Sequence, residues 1–201
     1  MLIAERLHLG CFDLPVAGWT NTDVTPHLFV ARVPGAASCL YRLGKLNEQR
    51  IRQHRSGVFR NLHYLNVGKR FPLKSDSVSA IFSSHMLEHL PPQVAENCLS
   101  ECFRILKPGG VIRSCVPDLD YYVEQYRQND PEPFVDALFQ TLENSGKNRH
   151  YWMYNESSLI RALLALGFSR ASRKEFQQGD CPNLADLDNR PQGTLFVEAI
   201  K

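Results

Sequence analysis

The sequence predicts an α/β fold, a sheet of strands covered by helices on both faces. Three observations lead there. Short apolar runs alternate with longer amphipathic ones along the 201 residues, the signature of strands joined by crossover helices. The clearest helical segment, 93–106, stops at Lys107-Pro108-Gly109-Gly110 and gives way at once to an apolar run. No internal repeat, low-complexity tract or linker interrupts the alternation, so residues 1–201 read as a single domain.

The strands expected in order are 2–9, 20–24, 62–67, 80–84, 110–116, a weak one near 169–176, and 194–200. The first closes on Leu7-His8-Leu9-Gly10, a buried run handing over to a turn. In helix 93–106, Val94, Leu99, Phe103 and Leu106 fall near helical spacing, while Glu96, Glu101 and Arg104 are left for water. Proline cannot continue that helix and glycine supplies the left-handed turn after it. Asn155-Glu156-Ser157-Ser158 opens another helix running to Gly167, with Leu159, Leu163, Leu164 and Leu166 as its apolar stripe. Ligands in open α/β sheets bind beyond the carboxyl ends of the strands, which puts Gly10 where a ligand belongs.

Composition narrows the function classes. A formal net charge of +2 offers no general attraction to nucleic acid or anionic membrane, and no run of 18 apolar residues exists to span a bilayer. The N-terminus, with Glu5 and Arg6 inside its apolar stretch, lacks the order of a signal peptide. Cys11, Cys39, Cys98, Cys102, Cys115 and Cys181 form no CxxC pair and read as reduced thiols of a cytoplasmic protein. The exception to the even charge is 42–60, where Arg42, Lys45, Arg50, Arg52, Arg55 and Arg60 make a basic insertion, at about 27–61, between the second and third strands. It reads as a solvated helix face or as a surface for an anionic acceptor, and it lacks the aromatic interleaving of an RNA-binding segment.

Two stretches carry the chemistry: NVGKRFPLKSDSVSAIFSSHMLEHL and LSECFRILKPGGVIRSCVPDLD. Together they resemble the class I S-adenosylmethionine-dependent methyltransferases, in the type 11-like branch that has SHxLEHL and RxLKPGG segments. The resemblance is close over 71–118 and looser over 7–23 and over the tail H-x-x-M-Y-N…L-G-F…L-F-V-E-A. It implies a Rossmann-like sheet of seven strands, mostly parallel with an antiparallel last strand, and S-adenosylmethionine as cofactor. Carried over by position, Gly10 backs the methionine part of the cofactor, Cys11 and Phe12 complete that turn, and Asp23 holds the ribose. Asn66 and Val67 lie near the adenine, and Ser84 and His85 close the fourth strand beside the sulfonium. The implied reaction is methyl transfer to an oxygen or nitrogen of a small-molecule or glycan-type acceptor. His85 takes the proton of a hydroxyl acceptor in that scheme.

The first loop departs from the family's glycine pattern, with His8 in place of an acidic residue, Phe12 in place of the second glycine and Leu14 in place of the third. That departure motivates a second reading, an inactive methyltransferase-like domain serving as a binding or scaffold protein. A nicotinamide dehydrogenase is disfavoured because GCFDLP cannot supply GxGxxG. His85 and His89 are four apart, but Met86 stands where a zinc-protease helix needs glutamate, so no metal site is predicted. Asp118, ending the fifth strand, reads as a helix cap or as a group that orients the acceptor. Tyr121, Tyr122, Tyr126, His150, Tyr151, Trp152 and Tyr154 supply aromatic material for an acceptor pocket or for packing.

Overall fold

The computed structural model describes residues 2–128, 130–139 and 149–201. One sheet holds seven strands: β1 (Arg6–Leu9), β2 (Thr20–Asp23), β3 (His63–Tyr64), β4 (Val78–Ser84), β5 (Leu106–Pro117), β6 (Arg170–Lys174) and β7 (Thr194–Ile200). Their order is β3-β2-β1-β4-β5-β7-β6. The pairs from β3 through β5 are parallel, and β7 runs antiparallel to both β5 and β6. Strand order reverses between β1 and β4, the point at which a doubly wound sheet opens a crevice.

Each predicted strand overlaps an observed one, and the last agrees at both ends. The differences have local causes. The first strand shortens because Leu2 donates its amide to the Pro72 carbonyl (3.1 Å) instead of joining the ladder. The third shrinks to two exposed edge residues. The fifth lengthens at its start. Helix α4, the fourth in the chain (Pro92–Ile105), runs directly into β5, and the KPGG turn becomes an irregularity within the strand. Val78 faces Leu106 and Ala80 faces Val111, so four residues loop out opposite Ser79 alone. Gly110 is required there, since a Cβ would lie 2.9 Å from the Lys107 carbonyl oxygen and 3.0 Å from that of Ser79.

The connection from β2 to β3 contains α1 (His27–Val30), α2 (Ala36–Arg42) and α3 (Glu48–Ser56). Helix α3 starts where the Asn47 side chain accepts the Arg50 amide and stops at left-handed Gly57. After β5 come α5 (Leu119–Arg127), α6 (Pro131–Phe139) and α7 (Glu156–Ala165), and α8 (Leu184–Leu187) precedes β7. Helix α7 begins with a reciprocal capping box between Asn155 and Ser158. Its apolar face was expected to include Leu164, but that residue is exposed; Leu159 and Leu163 are buried, and Leu166, at the helix end, packs partly buried against the same core.

Alternation along the strands divides the core. Leu7, Leu9, Ile81, Ile112, Leu195 and Val197 bury one face beneath Cys98, Leu99, Cys102 and Ile105 of α4 and the two leucines of α7. The opposite face, with Ala80, Phe82, Val111, Cys115 and Phe196, packs on Trp19, Cys181, Leu184 and Leu187. Crossover helices do not separate every pair of strands. The parallel connection from β1 to β2 contains no helix, and its Trp19 joins short α8 in covering this second face. All six cysteines are free, and five of them are buried packing residues; Cys39 is exposed. No helix among the described residues is long and apolar enough to cross a membrane.

Candidate functional site

A cavity of about 710 Å³ opens at the carboxyl ends of β1, β2 and β4, within the size range of small-molecule sites. Seven of the eight residues singled out in the sequence line it: Gly10, Cys11, Phe12, Asp23, Val67, Ser84 and His85. Asn66 does not. Its side-chain oxygen accepts the Gly68 amide (2.9 Å), an Asx turn that shapes the loop beside the cavity.

The turn after β1 is built from two left-handed residues. Gly10 has φ +63°, and a Cβ there would come within 2.8 Å of Met86 Cγ. Phe12 takes φ +45° despite its bulk. Its amide donates to Asp23 Oδ2 (3.0 Å), while the Thr25 amide donates to Oδ1 (2.7 Å). Two backbone donors thus orient the Asp23 carboxylate and leave lone pairs on both oxygens. Burial pushes its pKa up, and the amide donors work against that shift.

The Phe12 ring packs against Arg50 of α3. The Arg50 guanidinium carbon lies 4.5 Å from its centroid, and the rings of Phe59 and His27 lie 6.2 and 6.3 Å away. Arg50 also donates to Asp13 (2.7 Å), which accepts from Gln53 as well (2.8 Å). The ring is therefore one wall of an open cavity. The basic insertion uses Arg50 to clamp the loop, while Arg52 pairs with Glu48 on the surface.

His8 also lines the cavity and sits beside Asn21 (Nδ1 to Oδ1, 3.2 Å). Burial pushes its pKa down to about 4, so it is neutral near pH 7.

The end of β4 carries the second half of the site. His85 has φ +48° and donates its amide to the Cys115 carbonyl (2.8 Å). Its Nδ1 lies 3.3 Å from Glu88 Oε1 and its Nε2 3.2 Å from Thr194 Oγ1. Glu88, on the 3-10 turn Leu87–His89, is only 1% exposed. Neither of its carboxylate oxygens has a hydrogen-bond partner among the described residues. Glu88 and His89 both line the cavity. The Glu88 carbonyl accepts the amides of Tyr151 and Trp152 (2.7 and 3.3 Å), which brings His150 alongside. One donor atom each from Glu88, His89 and His150 lies within 4.8 Å of the others.

Sequence spacing does not single out Glu88 and gives His150 only a general lining role, because the contact joins segments far apart in the chain. Asp118 caps α5 by accepting the Asp120 amide (3.2 Å), pairs with Arg173 (3.1 Å) and lies outside the cavity lining. Of the aromatic residues, Tyr154 is buried in the core while Tyr151 and Trp152 are exposed.

Residues 44–113 match the model of a methyltransferase domain family. A search of curated proteins found no match. Among solved structures, the chain is similar to an S-adenosylmethionine-dependent methyltransferase of Thermotoga maritima, a possible histamine N-methyltransferase. The two have a TM-score of 0.57 and 13% identity, over 100% of this chain and 84% of that one. It is also similar to an S-adenosylmethionine-dependent methyltransferase of Archaeoglobus fulgidus, with a TM-score of 0.52 and 16% identity, over 99% and 86% of the two chains. At such identities the likeness is one of fold. With the sheet order and the cavity at the switch point, the match over 44–113, which takes in the SHMLEHL and LKPGG segments, gives the chain a fold similar to that of S-adenosylmethionine-dependent methyltransferases.

Proposed function

We propose that this chain transfers the methyl group of S-adenosylmethionine to an oxygen or nitrogen of a small-molecule or glycan-type acceptor. The observation that supports this most is the open cavity, with the Asp23 carboxylate and the side-chain-free Gly10 turn on its wall and Phe12 drawn aside by Arg50. The residues present suit the cofactor. Asp23 has lone pairs to accept both ribose hydroxyls, the Gly10 turn lines the cavity beside Met86, and Val67 offers an apolar contact for the base. When bound, S-adenosylmethionine supplies an electrophilic methyl on a sulfonium.

The chain's own residues do the rest. The cavity walls hold the acceptor in line with the departing methyl, and such positioning is the main catalytic demand of the reaction. His85 receives the proton of a hydroxyl acceptor at Nε2. With the proton on Nδ1, the nitrogen 3.3 Å from Glu88 Oε1, Nε2 carries the lone pair. Thr194 Oγ1 can turn from Nε2 towards the Gln192 carbonyl (3.5 Å), which frees that nitrogen.

Thermal unfolding with and without cofactor tests the reading. S-adenosylmethionine or S-adenosylhomocysteine raises the melting temperature saturably, and Asp23→Ala weakens binding by about 1–3 kcal/mol. No shift at millimolar ligand sinks the proposal and favours the scaffold reading.

A further inference from the structure

We propose that Glu88, His89 and His150 bind a first-row divalent metal ion, of the zinc type, at the wall of the cavity.

Glu88 is the starting point. Its carboxylate is 1% exposed, yet neither oxygen has a hydrogen-bond partner among the described residues. A buried carboxylate left in that state is costly unless a positive charge faces it. His85 Nδ1 at 3.3 Å and His89 Nε2 at 4.0 Å are the nearby cation-forming groups.

The two histidines of the cluster are prepared as ligands. The Arg149 carbonyl lies 3.1 Å from His89 Nδ1, and the Ala137 carbonyl is hydrogen-bonded to His150 Nδ1. A carbonyl only accepts, so each Nδ1 carries the proton and each Nε2 keeps its lone pair. His89 Nε2 faces Glu88, and His150 Nε2 is buried with no partner among the described residues. A backbone carbonyl fixing the far nitrogen is how metal-binding histidines are held.

The donor set is two imidazoles and one carboxylate, with donor atoms within 4.8 Å of one another. Bonds of about 2.0–2.2 Å place neighbouring ligands roughly 3.3–3.5 Å apart, so binding requires a contraction of order 1 Å. Three protein ligands leave a fourth position open. Glu88 and His89 line the cavity, so that position can face it. Imidazole with carboxylate suits zinc and its neighbours better than magnesium or calcium. The use of the open position, to hold an oxygen of the methyl acceptor, rests on the transferase reading; the metal site itself does not.

The test is a cobalt(II) titration of the full chain, stripped by chelator and free of S-adenosylmethionine, followed by visible absorption and then by zinc competition. Saturable binding of one ion per chain is expected, with the intense bands of a low-coordinate site. Glu88→Gln, His89→Gln and His150→Gln each weaken it by at least about tenfold. His54→Gln leaves it unchanged; that residue pairs with His27 (3.0 Å) and serves as the control for a site elsewhere.

Circular dichroism checks folding. If the Glu88 variant does not fold, His150→Gln decides, because its side chain is only partly buried. Absence of saturable binding at millimolar cobalt means a histidine–carboxylate network only and overturns the proposal. So does affinity unaltered in all folded cluster variants. Tight cobalt binding without any cofactor response would keep the metal site and discard the transferase; the reverse result would do the opposite.

Discussion

Phe12 decides how the degenerate glycine loop is understood. A phenyl group in place of glycine suggests obstruction, but its ring lies between Arg50, Phe59 and His27 while its amide holds Asp23. The left-handed φ is a strain the surrounding contacts must offset. Phe12→Gly relieves that strain and loses the ring contacts. Its expected outcome is cofactor affinity no tighter than that of the unaltered chain, together with a loss of about 1–2 kcal/mol of stability in a denaturant titration. Tighter binding in the variant would mean that the ring does block the site.

Among the elements, the helix-free stretch from β3 to β4 departs from the predicted alternation, as does the β1–β2 connection. With no helix between these strands, the loop needs no glycine-rich entry to a helix N-terminus. It is held by other means: Arg50 and Gln53 on Asp13, and Asn21, which accepts the Val16 amide (2.9 Å) and donates to the Val16 carbonyl (2.9 Å). Asn21 also faces His8, and this connects the loop to pH. The folded pKa of His8, about 4, lies below its ordinary value of 6.5. The unfolded chain therefore binds the extra proton between these values. Stability is full above pH 6.5 and declines as the pH falls towards 4, by roughly 3 kcal/mol from this residue. Denaturant midpoints at pH 7 and pH 4.5 measure the effect, and His8→Asn should flatten that part of the profile. An unchanged slope in the variant would assign the acid sensitivity to other groups.

For the molecule as a whole, the largest buried polar feature is Arg113 in the middle of β5, fully buried. It donates to both Asp188 oxygens, through Nε at 3.0 Å and through Nη2, and to Glu198 Oε1 (3.1 Å) on β7. It also reaches the Gln178 and Glu175 carbonyls (both 3.0 Å). The network fastens the segment between β6 and β7 over the sheet face that Trp19 and α8 cover. That same segment contributes Asp186 and Arg190 to the cavity wall. Arg113→Met should cost about 3–5 kcal/mol, since two buried carboxylates lose their cation. Equilibrium unfolding checks it, and a loss below about 1 kcal/mol would show that the network is not what fastens this segment.

The sequence by itself determined the strand alternation, the capping of α7, the end of α4 and the placing of Gly10 and Asp23 at strand ends. These follow from periodicity, caps and proline or glycine stops, all local properties of the chain. Resemblance to a known family added the antiparallel last strand and, by position, Asn66, Val67, Ser84 and His85. Tertiary structure alone decided where the Phe12 ring points, because Arg50 and Phe59 reach it from a distant segment. It alone placed His150 beside Glu88 and His89, through amides that dock on the Glu88 carbonyl. It alone buried Arg113, which in sequence is only a charge inside an apolar run. Contacts between segments far apart in the chain have no period to read, and in this protein they determine the chemistry of the cavity.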